Sequence, residues 1–129
     1  MTKLNPKKLA ELHQKILEFN TDRGWDPSAQ NIAKSIVIEA AELLEHFQWD
    51  KNEDDLKKKN FTEIGFEIAD VIWYLFLLAN KLNINLVDAL NQKYEHNGQK
   101  YPAEMFNKKH NSEFYYAQKK KYRLEKNKK

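Results

Sequence analysis

Four acidic residues occur as two pairs at helical spacing, Glu39 with Glu42 and Glu67 with Asp70. Three residues apart, both members of a pair leave the same side of a helix, roughly 5–6 Å apart at Cβ. Each pair borders an apolar stripe rather than a fully solvated face. Unpaired carboxylates in such a place cost on the order of several kcal/mol unless they are protonated, paired or metal-bound. If the two helices pack antiparallel, the pairs face each other and four carboxylates converge. Without a cation they repel and raise one another's pKa; as hard oxygen donors they suit Mg²⁺, with Mn²⁺ as the substitute. A di-iron bundle would want Glu-x-x-His, but the positions three after Glu39 and Glu67 hold Glu42 and Asp70. His46, one turn beyond Glu42, reads as a supporting or solvated group, and His13, His96 and His110 carry no readable role.

Two helices must carry these acids. Residues 61–82, FTEIGFEIADVIWYLFLLANKL, are apolar round most of a helical wheel, with Glu63, Glu67, Asp70, Tyr74 and Lys81 as a narrow polar strip. Phe66, Trp73, Phe76 and Leu77 lie away from its main stripe and have too little chain left to cover them, which predicts a homodimer or homotetramer. Residues 28–49 form the other helix, with Asn31, Ser35, Glu39, Glu42 and His46 along one edge of its stripe. A first helix starts at Asn5-Pro6 and ends near Gly24. Trp25 then sits in a short connection, as a plug over the core or as a stacking surface for a substrate.

The charged run DKNEDDLKKKN reads as a solvated loop or a short helical turn, and Asn60 with Glu63 as a capping-box-like start. Gly65 reads as a close helix contact, since three glycines leave no room for a phosphate loop. A fourth helix opens at Asn85 and is expected to close near Gly98, with Leu86, Val87, Leu90 and Tyr94 as its apolar contacts. Lys93 and Asn97 share one of its faces, turned to a ligand or to solvent. Beyond Tyr101-Pro102 the chain becomes Lys-rich, with an exposed tail and a helix around residues 113–124.

At 129 residues without cysteine, disulfides and thiolate metal sites are excluded. The expectation is an all-α cytoplasmic protein with no secretory signal and no membrane span, because Glu67 and Asp70 interrupt the apolar run. From Ala103 onward nine Lys/Arg face three Glu, against thirteen and sixteen before it. Interleaved with Phe114, Tyr115, Tyr116 and Tyr122, these cations set up the alternative of a non-catalytic nucleotide- or polyanion-binding module. Nucleic acid as a partner is disfavoured, since Lys-rich ends commonly serve as solubilising tails or oligomer arms.

The segments EAAELLEHFQW (residues 39–49), EIADVIWYL (67–75) and KYEHNGQKYP (93–102) resemble, in order and spacing, the all-α MazG-like nucleoside-triphosphate pyrophosphohydrolases, most nearly the dCTP pyrophosphatase branch. The likeness covers about residues 12–102. It implies a four-helix bundle completed by oligomerisation, with a catalytic domain over 1–102; the basic extension over 103–129 has no counterpart in the resemblance. The likeness implies Mg²⁺-dependent hydrolysis of a nucleoside triphosphate to the monophosphate and pyrophosphate, a housecleaning activity on the nucleotide pool. By the same resemblance Glu39, Glu42, Glu67 and Asp70 would be the metal ligands, with Glu42 also assisting as the base. Lys93 and Asn97 would reach the phosphates or sugar, and Trp49 and Tyr74 would line the nucleoside pocket. Trp25, Asn31, Lys100 and Tyr101 complete the expected substrate-binding set. Two departures stand out. The connection after Trp25 reads DPSAQ, without the aromatic and the His usual in that branch, and Lys100 stands where an Arg usually precedes Tyr-Pro.

Overall fold

The computed structural model describes residues 3–106 and 112–128; His110 lies outside them. Among the described residues the chain is helical throughout: α1 (Pro6–Asp22), α2 (Ala29–Glu45), α3 (Phe61–Lys81), α4 (Leu86–Lys100) and α5 (Ser112–Lys126), with 3-10 turns at Glu53–Lys58 and Ala103–Met105. No helix among these residues is long and apolar enough to cross a membrane. Contacts divide the chain into two units, Met1–Ile84 and Asn85–Lys129. The expected division at Pro102 would instead group α4 with the first three helices.

The starts of the helices follow side-chain caps. Asn5, Asn60 and Asn85 each accept two backbone N–H bonds from the first turn, and Ser28 Oγ accepts one from Asn31. At Asn60 only the cap's own half of a capping box is present, through the N–H groups of Thr62 and Glu63. Two ends are Schellman motifs. After α1, Trp25 N–H donates to Asn20 O and Gly24 N–H to Thr21 O, with Gly24 at φ +64°. After α3, Ile84 N–H donates to Ala79 O and Asn83 N–H to Asn80 O, with Asn83 at φ +54°. Asparagine is among the few side chains that tolerate this region.

In the first unit α2 packs on α3, and α1 covers another part of α3. Ile32, Ile64, Leu77 and Ala79 are the buried apolar residues. α1 covers more of α3 than its length suggested: Phe19 meets Trp73 edge-on at 5.2 Å, and the His13 ring lies 4.7 Å from that of Phe76. Leu77 is therefore buried and Trp73 and Phe76 half-buried against α1, so the chain itself covers part of the side of α3 that was expected to lie open. Among the apolar residues left open are Phe66 (64% exposed), Phe61, Ile68, Ile72 and Leu75 on α3, and Val37, Ile38 and Leu44 on α2.

Three further expectations change. α2 ends at Glu45 rather than Trp49, because Lys59 enters from the linker: its Nζ donates to the His46 carbonyl and pairs with Asp50 at 2.7 Å. The Lys59 side chain is largely buried, so the charged run is tied down at this residue rather than solvated throughout. Within that run the Lys51 backbone N–H holds the Asp55 carboxyl below its ordinary range. α4 continues through Gly98 to Lys100 and stops where Pro102 disfavours a helical Tyr101. A Cβ built on Gly65 would meet nothing within 4 Å among the described residues, so that glycine marks no close helix contact.

The second unit is an α4–α5 pair. Gln118 donates to the Lys100 carbonyl, and Tyr122 meets His96 edge-on at 5.4 Å. The basic segment is thus a packed helix with one half-buried side, at Phe114, Gln118, Lys119 and Tyr122. Val87, Leu90 and Tyr94, expected as packing contacts of α4, are exposed.

Candidate active site

The direction of packing is legible from which residues share a cavity wall. Ile32 lies with Leu77 and Asn80, Ser35 with Asp70 to Leu77, and Glu39 with Glu67 and Asp70. Advancing along α2 therefore means retreating along α3, the antiparallel arrangement that brings the two acid pairs toward each other. One carboxylate oxygen from each of Glu39, Glu67 and Asp70 lies within 4.8 Å of the other two. Glu42 is outside this trio but close enough for its charge to act on Glu39.

The carboxyl of Glu39 is held above its ordinary range, first by desolvation and then by the charges of Glu42, Asp70 and Glu67. None of the four ion pairs between described residues involves these acids. Three converging oxygen donors, half-buried or exposed, with no cationic partner among the described residues and no nitrogen or sulfur ligands in the trio, suit a hard divalent cation such as Mg²⁺.

Asp70 also lines a cavity of about 680 Å³, with Phe19, Trp25, Trp73, Tyr74 and Leu77 among the wall residues. That volume is in the range of ligand pockets, and the aromatic walls suit a planar ring. The wall on α3 is one helical face, since Asp70, Trp73, Tyr74 and Leu77 follow at i, i+3, i+4 and i+7. Trp25 joins the lining from the Schellman turn that ends α1. Phe19 ties the two tryptophans together, edge-on to Trp73 and with its ring 6.0 Å from that of Trp25. The Arg23 guanidinium lies over Phe19 at 3.4 Å.

Of the expected substrate-binding residues, Trp25 and Tyr74 line this cavity. Asn31 is exposed on α2, and Trp49, 81% exposed, follows the end of that helix; both lie outside the cavity lining. Lys93, Asn97, Lys100 and Tyr101 belong to the second unit. Lys93 and Asn97 are exposed on α4, and the Lys100 ammonium sits between the rings of Tyr101 and Tyr122 at 5.0 and 5.1 Å. Tyr101 stacks on Tyr115 at 5.2 Å.

Sequence reasoning missed Phe19, Asn20, Asp26 and Trp73 as wall residues, and named Ser35 only as an edge neighbour of Glu39. A signal existed for Trp73, which stands one turn after Asp70 on the acid-bearing helix.

The chain is 29% identical over 103 residues to dCTP pyrophosphatase 1 of Rattus norvegicus and of Mus musculus, matching 75% of this chain and 61% of each relative. The human protein of that name is 28% identical over the same length. The chain thus spans about three fifths of the length of these curated relatives. Among solved structures, a pyrophosphatase from Archaeoglobus fulgidus DSM 4304 superposes with a TM-score of 0.68 at 38% identity, covering 79% of this chain and 99% of that one. The family model for MazG-like proteins matches residues 34–127, including both acid pairs and the basic helix α5, and on that match the chain belongs to the MazG-like family.

Proposed function

We propose that the chain hydrolyses a nucleoside triphosphate, a deoxynucleotide by preference, to the monophosphate and pyrophosphate, in a housecleaning role in the cytoplasm. The observation that carries this reading is the sharing of Asp70 between the acid trio and an aromatic-walled cavity of about 680 Å³. Glu39, Glu42, Glu67 and Asp70 would hold Mg²⁺, or Mn²⁺ in its place. When bound, such an ion supplies Lewis-acid polarisation of a phosphoryl oxygen and lowers the pKa of water.

The residues of the chain have distinct tasks. Trp25 and Tyr74 bracket the nucleoside end of the cavity, excluding water from it and orienting the substrate. Glu42, outside the trio, takes the proton of the attacking water. The water oxygen bonds to phosphorus as the α–β anhydride bond breaks, and pyrophosphate leaves with the bridging oxygen. Lys93 and Asn97 are assigned to phosphate or sugar, Trp49 to the nucleoside pocket, and Asn31, Lys100 and Tyr101 to the remaining substrate contacts. We also assign a homodimer or homotetramer, supported by the open apolar residues Phe66, Ile68, Ile72 and Leu75 on α3 and Val37 and Leu44 on α2. Light scattering that gave a stable monomer at micromolar concentration would remove that assignment.

Incubation with each deoxynucleoside triphosphate and Mg²⁺, with separation of products, tests the activity. Monophosphate and pyrophosphate in equal amounts are expected. Orthophosphate release without pyrophosphate, or turnover that survives Asp70→Ala, would overturn the reading.

A further inference from the structure

The cavity wall carries a second carboxylate that the proposed hydrolysis does not use. Asp26 lies beside Trp25 and is not a member of the acid trio. An acid on the wall of a cavity that receives a triphosphate repels the phosphates, so Asp26 marks a part of the wall that the phosphates avoid. Three features fix its position. The Schellman turn at Gly24 sets the path of the preceding backbone, and Pro27 bars Asp26 from helical geometry. Lys81, from the last turn of α3, donates to Asp26 Oδ1 across 55 residues of sequence. The Lys81 side chain is 35% exposed against 86% for Asp26, so the lysine is the tucked-in anchor and the carboxylate the open group.

Resting on the proposed nucleotide hydrolysis, we infer that Asp26 is a specificity-determining residue that accepts a hydrogen bond from the exocyclic amino group of the nucleobase stacked at Trp25, with Lys81 as its positioning residue. With Oδ1 engaged by Lys81, Oδ2 remains to accept. An ionised carboxylate only accepts hydrogen bonds, so it attracts the amino edge of a base and repels the carbonyl that uracil or thymine presents at the equivalent position. Phosphates gather at the Asp70 end of the cavity and the base at the Trp25–Asp26 end, which keeps the two like charges of substrate and wall apart.

The test uses dCMP and dUMP, which differ in an amino group against a carbonyl and in the adjacent ring nitrogen, an acceptor in cytosine and an N–H donor in uracil, so that a carboxylate reading the ring nitrogen instead would favour dUMP. Binding is read by quenching of tryptophan fluorescence in the intact protein, and hydrolysis by kcat/KM for dCTP and dUTP. Wild type should favour the amino-bearing member about tenfold, and Asp26→Asn, whose amide can face either group, should cut that ratio about fivefold or more. Lys81→Met should lower the ratio in the same direction with a smaller amplitude. Equal losses for both nucleotides in Asp26→Asn, no discrimination by wild type, or no quenching by either monophosphate would each overturn the assignment. Discrimination in binding without hydrolysis of any triphosphate would sink the proposed activity and leave the base-reading role standing.

Discussion

Neutralising Glu39 should make the metal-free protein more stable and at the same time remove its response to Mg²⁺. The trio's oxygens lie within 4.8 Å of one another. With solvent-like screening, appropriate because Asp70 is exposed, each pair of charges at that separation repels by about 1 kcal/mol, and physiological salt roughly halves this. Glu39→Gln removes the repulsions with Glu67 and Asp70 and weakens the field of Glu42, a gain of about 1–2 kcal/mol for the metal-free fold. For a chain of this size that corresponds to a rise in Tm of about 3–8 °C. Wild type, by contrast, should gain about 2.7 kcal/mol when Mg²⁺ is a hundredfold above its Kd, and the variant should gain almost none. Thermal unfolding followed by circular dichroism, in EDTA and across a Mg²⁺ series, reads both effects. A lower Tm for the metal-free variant, or an unchanged Mg²⁺ shift, would refute the view that this cluster is held apart by its own charge until a cation neutralises it.

The pH dependence has a definite sign. Because the folded protein holds the Glu39 carboxyl above its ordinary value of 4.5, the folded state binds the proton more tightly than the unfolded one. Metal-free stability from this group should therefore rise as pH falls from neutral through the folded pKa, while Mg²⁺ affinity measured by calorimetry falls over the same window. Trp25→Ala should raise KM about 5- to 100-fold through loss of base stacking, with a smaller effect on kcat, in steady-state assays. Gly24→Ala should cost about 1–2 kcal/mol in chemical denaturation, because φ is +64° at that residue. Ending the chain before Ser112 removes the packing of Tyr122 and Gln118 on α4, and should reduce α4 protection in hydrogen exchange more than it changes the exchange of α2 and α3.

Local chemistry was the readable part of this molecule. Asn5, Ser28, Asn60 and Asn85 announced the helix starts because a cap depends on residues within one turn. The acid pairs were readable for the same reason, as i,i+3 spacing on an amphipathic helix is visible without knowing the partner. Endings set by distant groups were not. α2 stops where Lys59 reaches His46, thirteen residues away, and Trp73 changes from an expected oligomer contact to a cavity wall because Phe19 of α1 lies against it. The cavity itself was hidden in the same way, being bounded by three segments whose meeting depends on tertiary packing.

Lys59 also divides the α2–α3 connection into parts with different tolerance to change. The segment from His46 to Asp50 is held to the end of α2 by the Lys59 ammonium, so added residues there would drag a buried charge away from both its partners. The 3-10 turn Glu53–Lys58 is held by neighbours in sequence, and its Lys57–Asp54 and Lys58–Asp55 pairs are local. Extra chain inserted at the tip of that turn can loop out while Lys59 and Asn60 keep their places, so this tip is a port for grafted peptides or fluorescent labels that leaves the acid-bearing helices in register.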